Sequence, residues 1–344
     1  MDGTIARRHL RTTDELIDAA LAPEAARAEL ERVAARYAVA ITPAMLDAMD
    51  PAAAADPLIR QFVPTAAELN TQPHERADPI GDRKFAPLKG IVHRYPDRVL
   101  LKPIHTCPVY CRFCFRRESV GPGGEALTAA ELDAAINYIR ARPEIWEVIL
   151  SGGDPLILSP RRLKYIIARL EAIAHVAVIR IHSRVPAVDP ERIGEELLSA
   201  LDTSKALFVV LHANHANELT APARTAIRRI VAAGIPMLGQ SVLLKGVNDD
   251  PAALEQLLRA LVANRVKPYY LHQLDAAPGT SHFEVPIARG QELMRSLRGR
   301  VSGLCQPSYV LDIPGGHGKS PIGPNYLGSE TVEDWQGNAH ALAR

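Results

Sequence analysis

The stretch RVLLKPIHTCPVYCRFC, residues 98–114, joins a short aliphatic run to three closely spaced cysteines. Its first six residues have the composition of a buried strand. Cys107, Cys111 and Cys114 follow, with three and then two residues between them. A loop of this length can wrap three thiolates around one iron–sulfur cubane. Because the fourth cysteine, Cys305, lies far along the chain, one iron would stay open to a substrate or cofactor.

On spacing alone, the three cysteines also fit a zinc site or a packed core. A zinc ion could bind here if a histidine such as His105 completed the ligand set. The thiols could also be small core residues. Three thiols within eight positions do not easily form disulfides with one another, and in a reducing compartment such a cluster is typical of metal binding.

A repeating pattern begins with the run at 98–103. Short β-branched or aliphatic runs alternate with amphipathic helices at about thirty residues per unit, which favours parallel strands joined by right-handed crossovers. The predicted strands lie at 98–103, 147–151, 177–182, 207–212, 237–242 and 268–272, and the predicted helices lie near 129–141, 160–174, 190–201, 221–233 and 251–264.

Six such units are too few for a closed eight-stranded barrel, so an open partial barrel and a doubly wound sheet both fit. In a barrel, polar residues at the C-terminal strand ends would converge on one face, where sites are built. Each could instead simply mark the end of a strand. The residues at these ends are Ser151, His182, His212, Gln240 and Asp275.

Composition limits the class of protein and its partners. A chain of 344 residues with 47% hydrophobic residues can bury a large core. The net charge of +1 gives no basic stripe, so we expect a small-molecule partner and no nucleic acid. The sequence has no run of about eighteen uncharged apolar residues and no apolar signal core. We therefore expect a cytoplasmic protein without a membrane partner.

Outside the repeating units the chain has two further parts. Residues 13–49 show helical spacing and predict two or three helices. Residues 51–83 contain several prolines and predict a linker or wrapping loop. We divide the chain into an N-terminal extension with linker at 1–85, a barrel at 86–285 and a C-terminal segment at 286–344.

The C-terminal segment contains VLDIPGGHGKSP, residues 310–321, which starts like a strand and continues as a glycine-rich loop presenting Lys319. Glycines let the backbone approach a planar cofactor or a phosphate, and a lysine there can attach to a carbonyl group. The loop departs from the GxxxxGK[ST] phosphate pattern, because Ile313 stands where the first glycine belongs. A nucleotide phosphate site and a flexible surface loop remain open alternatives.

Together these motifs resemble the radical S-adenosylmethionine superfamily, whose CxxxCxxC loop follows the first strand of a partial six-stranded βα barrel. The resemblance implies this barrel rather than a doubly wound sheet. The lysine-bearing loop closely resembles that of the lysine 2,3-aminomutase family. Matching strings extend from about Asp78 to Tyr326, at 93–98, 114–117, 181–184, 240–244 and 246–249.

The resemblance implies three cofactors: a 4Fe-4S cluster on the three cysteines, S-adenosylmethionine on the open iron, and pyridoxal phosphate bound covalently by Lys319. In the family, a 5′-deoxyadenosyl radical abstracts hydrogen from L-lysine, and the amino group moves from the α to the β carbon. The resemblance also implies an electron donor such as flavodoxin or ferredoxin, and a homo-oligomer.

Residue by residue, the resemblance implies three substrate contacts. Arg116 matches the arginine that holds the lysine carboxylate, a task suited to a bidentate fork. Asp275 and Asp312 match the aspartates that hold the side-chain ammonium, although either alone could be a surface ion pair. The cofactor matches are Arg94, Tyr95 and Arg98 for the pyridoxal phosphate, and Ser151, Gly152, Gly153, Asp154, His212 and Gln240 for S-adenosylmethionine.

The chain also departs from the longer members of that family. Asp250 stands where they have a cysteine, and no cysteine follows Cys305, so we expect no zinc site. Phe113 replaces a histidine. The short form is similar to enzymes that make β-lysine for elongation factor P. An aminomutase for glutamate or another amino acid should replace the aspartates by groups that pair with a carboxylate. A binding or regulatory protein that keeps the cluster as a redox sensor would leave Lys319, Asp275 and Asp312 without a role.

Overall fold

A computed structural model describes residues 9–53 and 55–342. Its main feature is a nine-stranded sheet in which spatial order follows chain order. Strands β2 to β8 run parallel, while β1 and β9 pair antiparallel at the two edges. The strands are β1 (Ile91–Tyr95), β2 (Arg98–Ile104), β3 (Glu147–Gly152), β4 (Val178–Ser183), β5 (Ala206–His212), β6 (Met237–Val242), β7 (Val266–His272), β8 (Ser308–Ile313) and β9 (Gly318–Pro321), with a separate pair β10 (Thr331–Glu333) and β11 (Ala339–Ala341).

The helices between the strands bury one apolar face each. Thr128 caps the start of the fifth helix. Its hydroxyl accepts from the Glu131 N–H at 3.2 Å, while the Glu131 carboxylate accepts from the Thr128 N–H at 2.8 Å. Four residues at helical spacing then lie in the core: Leu132, Ala135, Ile136 and Ile139. The helices are α1 (Thr13–Asp18), α2 (Arg27–Arg36), α3 (Pro43–Leu46), α4 (Pro57–Phe62), α5 (Ala129–Arg140), α6 (Pro160–Glu171), α7 (Val185–Val188), α8 (Glu195–Ala200), α9 (Ala221–Ala232), α10 (Pro251–Ala263) and α11 (Ile287–Leu297).

The predicted partial barrel is confirmed, because all six predicted strands are found in one sheet of parallel neighbours. The helix predicted at 190–201 is interrupted: a short 3₁₀ turn covers Pro190–Arg192 and α8 begins after Gly194. The sheet also extends beyond residue 285, since β8 pairs in parallel with β7. The three-part division of the chain remains a prediction.

The N-terminal part is more ordered than its composition indicates. Residues 13–49 form three α-helices, within the predicted number. The prediction of a linker at 51–83 missed α4, which begins after Asp56; the Asp56 carboxylate accepts from the Leu58 and Ile59 N–H groups at 2.7 Å. The same segment buries Glu68 completely. A proline-containing segment can therefore carry core residues without a periodic pattern.

Side chains bridge the open edge between β1 and β9. The Tyr95 hydroxyl accepts from the Lys319 N–H at 2.7 Å, and the Lys84 ammonium donates to the Gly315 carbonyl at 2.8 Å. Gly81 has a φ of +69°, and a Cβ there would lie 2.6 Å from the Gly316 nitrogen. This close approach holds the glycine-rich loop beside the first strand.

In the part of the chain that the structure describes, no helix combines the length and the apolar character needed to cross a membrane.

Candidate active site

A cavity of about 740 Å³ occupies the interior of the barrel. Its lining extends from the N-terminal ends of β2 and β3, at Arg98 and Glu147, to the loops at the C-terminal strand ends, where barrel sites are built. All sixteen residues that the sequence indicated for cluster, cofactor or substrate contacts are among its lining residues, as is His182. The fold therefore brings these residues together, while the role of each remains a prediction.

Cys107, Cys111 and Cys114 lie in the cavity wall, in the loop that follows β2. The N-terminal part of the chain holds this loop, since the Arg112 N–H donates to the Gln61 carbonyl at 2.9 Å. Burial raises the pKa of all three thiols, well above the ordinary value for Cys107 and to about 11 for Cys114. Without a bound metal group the thiols are therefore protonated near neutral pH.

The arrangement of these thiols does not favour a single zinc ion. Within residues 9–53 and 55–342, no three His, Cys, Asp or Glu side chains converge on a point where one ion could sit. Zinc needs all its ligands within about 2.0–2.3 Å. A 4Fe-4S cluster binds each thiolate through a different iron, so its ligands need not converge. The three thiols beside a large cavity fit such a cluster, and Cys305 is buried in a separate apolar core.

Arg184, which follows β4, connects the cysteine loop to two buried polar residues. Its guanidinium donates to the Cys111 sulfur at 3.0 Å and to the Gln61 side-chain oxygen at 3.1 Å, and it also pairs with the buried Glu218 carboxylate. A donor at a ligating sulfur stabilises negative charge on that sulfur. Sequence spacing could not predict this network, because its members come from distant parts of the chain.

Gly152 and Gly153 place the end of β3 against the start of the cysteine loop. A Cβ at Gly152 would lie 2.5 Å from the Ile104 carbonyl oxygen, and one at Gly153 would overlap the Thr106 carbonyl oxygen. The Gly153 N–H donates to the Ile104 carbonyl at 2.7 Å. Close backbone approach thus accounts for both glycines within the protein itself, and their contact with S-adenosylmethionine remains a prediction.

Hydrogen bonds from other groups of the protein already satisfy the Asp154 carboxylate. It accepts from the Ser183 hydroxyl at 2.8 Å and from three backbone N–H groups, those of Leu156, Arg184 and Val185, at 3.1, 2.7 and 3.2 Å. These bonds join the end of β3 to the end of β4. The Asp154 carboxylate therefore supports the loop on which S-adenosylmethionine would lie, and a direct contact of Asp154 with that cofactor remains a prediction.

Asp275 and Asp312 form an acidic region at one side of the cavity. Burial, and then the neighbouring Asp312 charge, raise the pKa of Asp275 to about 7. Asp312 is a cross-strand neighbour of Lys319, whose ammonium donates to its Oδ2 at 2.5 Å. The other oxygen, Oδ1, is buried without a hydrogen-bond partner. Because nearby positive charges do not offset the burial of Asp275, this region can accept a ligand ammonium.

Three histidines at strand ends face the same cavity. Burial lowers the pKa of His182 and His212 well below the ordinary value and also lowers that of His272. The three rings are therefore neutral near pH 7 and could offer a ligand hydrogen bonds but no positive charge. The Nε2 atoms of His182 and His212 are buried without a protein partner, so each has a bond left to offer.

Arg116 lies in the cavity wall and pairs with Asp82, a residue that the sequence analysis did not predict. Its Nη2 and Nε atoms donate to Asp82 Oδ2 at 2.7 and 3.2 Å. Arg94 also donates to this carboxylate, from Nη2 to Oδ1 at 2.9 Å. Arg94 is thus engaged within the protein, and its contact with a cofactor phosphate remains a prediction. Asp82 was missed in the sequence analysis because the residue lies in the proline-containing segment that was predicted to be a linker.

Tyr95, Arg98 and Gln240 are further members of the predicted set. The Arg98 guanidinium lies 3.9 Å from the centre of the Tyr95 ring and donates to the Asp97 carboxylate at 2.6 Å. It is one-third exposed and can turn towards a phosphate without breaking a buried contact. Gln240 lies near the end of β6, level with His212 on β5. The basic and polar groups of this set thus line the same cavity as Lys319.

Comparison with known proteins matches these features. The radical SAM superfamily model matches residues 101–258, and the lysine-2,3-aminomutase model matches residues 294–334. The L-lysine 2,3-aminomutase of Clostridium subterminale is 43% identical over 293 residues, 85% of this chain and 70% of that protein. That of Acetoanaerobium sticklandii is 44% identical over 292 residues, with the same coverage of 85% and 70%. The glutamate 2,3-aminomutase of Clostridioides difficile is 34% identical over 313 residues, 90% of this chain and 74% of that protein.

Proposed function

Because this chain belongs to the lysine 2,3-aminomutase family of radical S-adenosylmethionine enzymes, we propose that it converts L-α-lysine into β-lysine. The observation that carries the choice of substrate is the acidic region formed by Asp275 and Asp312. Burial and the Asp312 charge raise the pKa of Asp275 to about 7, so this carboxylate is poorly solvated and poorly paired in the protein alone. A ligand with a second ammonium supplies the missing charge.

The second end of the substrate is assigned to Arg116. Its contacts with Asp82 use the Nε and Nη2 atoms, which leaves the Nη1 side to hold a carboxylate. A radical takes hydrogen from the nearest carbon, so reaction at the β carbon requires both ends of the substrate to be fixed. Arg116 holds one end in this proposal, and the two aspartates hold the other.

The cofactors of the family have matching residues in this chain. When bound, the 4Fe-4S cluster with S-adenosylmethionine would supply a carbon radical, and pyridoxal phosphate would supply a conjugated group that carries the amino group during its migration from the α to the β carbon. Cys107, Cys111 and Cys114 hold the cluster in this proposal. Lys319 presents its amine from β9 into the cavity, where the Tyr95 hydroxyl holds its backbone N–H.

A specific observation disfavours the alternative of a glutamate aminomutase. The side-chain carboxylate of glutamate would enter a region that already contains Asp275 and Asp312, whose mutual repulsion contributes to the raised pKa of Asp275. A third buried carboxylate there would cost further desolvation without a partner. A lysine ammonium removes the same repulsion. We therefore choose lysine.

Further parts of the proposal rest on the family alone. They are a one-electron donor such as flavodoxin or ferredoxin, and assembly into a homo-oligomer. The cytoplasmic location expected from the sequence is also part of the proposal. The same chemistry serving modification of elongation factor P is the alternative biological role.

Anaerobic turnover tests the proposal. Protein reconstituted with iron, sulfide and pyridoxal phosphate would be incubated with S-adenosylmethionine, a reductant and either L-lysine or L-glutamate. Amino acid analysis should detect β-lysine from the first and no β-glutamate from the second. Formation of β-glutamate with lysine unchanged would reject the assignment, and a double replacement of Asp275 and Asp312 by Asn serves as the matched control.

A further inference from the structure

Asp82 joins the groups assigned to the two ends of the proposed lysine site. The residue is 8% exposed. Oδ2 accepts two bonds from Arg116, and Oδ1 accepts one from Arg94 at 2.9 Å. The guanidinium of Arg94 is fixed further by its Nη2 bond to the Ile80 carbonyl at 2.7 Å. Asp82 thus holds two arginines at once, one with each oxygen.

Arg94 extends this connection to the acidic region. Its Nη1 atom lies 3.8 Å from the Oδ1 atom of Asp312. The order Asp312, Arg94, Asp82, Arg116 therefore alternates in charge from the ammonium end of the site to the carboxylate end. All four side chains are at most 15% exposed. Ion pairs shielded from water in this way resist displacement more than surface pairs do, because salt and water screen them less.

We propose that Asp82 is a positioning residue that, through Arg94 and Arg116, sets the length of amino acid that the site accepts. The inference rests on the proposed function, because it takes Arg116 and Asp312 as the groups that grip the substrate's two ends. The alternating charges hold Arg116 in place relative to Asp312. The distance between the groups that bind the two ends of the substrate is therefore set by the protein and not by the ligand.

The chemistry of Asp82 makes the idea specific. A carboxylate offers acceptor sites on both oxygens, and here both are used. Asp82→Asn keeps the shape but replaces one acceptor by an NH₂ donor, which faces an arginine. Either Arg94 or Arg116 then loses its hydrogen bonds to residue 82. Asp82→Glu keeps both acceptors and the charge but adds one methylene, so the bridge is restored while its length changes.

Binding without turnover tests the inference. Dissociation constants for L-lysine and for L-ornithine, which is one methylene shorter, would be measured by calorimetry on cofactor-loaded enzyme without reductant. The proteins are the parent, Asp82→Asn, Asp82→Glu, and Asp133→Asn as control. Asp133 makes a comparable pair with Arg169 at 2.6 Å, but that pair is partly exposed and lies outside the cavity lining.

We expect the preference for lysine over ornithine to fall about tenfold in Asp82→Asn, the scale of one misplaced methylene in a binding site. Asp82→Glu should recover the thermal unfolding midpoint of the parent but not its preference, and Asp133→Asn should keep both. A preference within about threefold of the parent's in both Asp82 variants would overturn the inference, since a purely structural role weakens both ligands alike. If the parent itself did not bind lysine, the proposed function would fail first.

Discussion

Replacement of Asp275 by Asn should make the protein more stable and at the same time less active. In the folded protein, burial and Asp312 raise the pKa of Asp275 from 3.8 to about 7. A carboxyl group with a raised pKa contributes stability that is fully present below its unfolded value and is lost as pH rises through its folded value. Between about pH 4 and pH 7 the parent protein therefore loses stability from this group.

The size of the loss follows from the pKa difference. A pKa change from 3.8 to about 7 corresponds to a destabilisation of the folded protein by up to about 4 kcal/mol at pH 8, where the carboxylate is charged in both the folded and the unfolded state. Asn is neutral at every pH, so Asp275→Asn removes this loss. We expect the variant to be more stable than the parent at pH 8. At pH 5, where only the unfolded state is largely ionised at this group, the difference should shrink to about 2 kcal/mol or less.

Activity should move in the opposite direction. Loss of a charged partner for a buried ammonium costs about 2 to 5 kcal/mol, which is roughly a thirtyfold or larger fall in kcat/KM with lysine. In the parent, kcat/KM with lysine should fall as pH drops below about 7, because the free enzyme then carries a protonated Asp275. The Asn variant should lack this limb of the profile.

Thermal unfolding of ligand-free protein at pH 5 and pH 8, paired with lysine kinetics, measures both effects. If Asp275 only formed a surface ion pair, that pair would contribute at most about 1 kcal/mol, and replacement of Asp275 by Asn would lower the stability of the protein. Asp275→Asn would thus refute the reasoning if it were less stable than the parent at pH 8, or if lysine turnover stayed within a fewfold.

Three further outcomes are expected. Replacement of Cys107, Cys111 or Cys114 by Ala should remove about four irons per chain, measured after anaerobic purification, whereas Cys305→Ala should keep them; loss of iron from the Cys305 variant would contradict the open-iron arrangement. Borohydride treatment of the cofactor-loaded protein should fix pyridoxal phosphate on Lys319, and mass spectrometry that found the label on another lysine would reject that assignment. Glu68→Gln should lower the free energy of unfolding by about 3 to 5 kcal/mol and weaken iron retention, because Glu68 is fully buried between Arg112 and Arg117 beside the cysteine loop; Glu29→Gln, at an exposed pair with Arg32, is the control and should change neither.

The parts of the fold that the sequence predicted are those with a local signal. Each strand from β2 to β7 is a short aliphatic run, and most of the helices between them show apolar spacing, so their order and number could be predicted. The cysteine loop and the glycine-rich loop around Lys319 could be placed for the same reason. Their meeting in one cavity was implied by the family resemblance alone, because the glycine-rich loop lies beyond the predicted barrel. In the structure, β8 and β9 extend the sheet and bring this loop to the cavity.

Pairs of polar residues that lie far apart in the sequence have no local pattern that predicts them. Asp82 is separated from Arg116 by 34 positions, and Gln61 from Arg184 by 123. Both Asp82 and Gln61 lie in a segment that its prolines marked as a linker. The burial of Glu68 between two arginines is similarly invisible, because an isolated glutamate is typically exposed. Asp154 was recognised, but its four protein donors could not be known without the end of β4 beside it.

The most direct test of the central claim follows the nitrogen itself. L-lysine labelled with ¹⁵N at the α amino group and ¹³C at the β carbon would be incubated anaerobically with the reconstituted enzyme, S-adenosylmethionine and a reductant, and the product examined by NMR. Transfer of the amino group from the α to the β carbon predicts β-lysine in which the ¹³C signal is split by a directly bonded ¹⁵N. Unchanged lysine, or β-lysine whose ¹³C is bonded to unlabelled nitrogen, would contradict it.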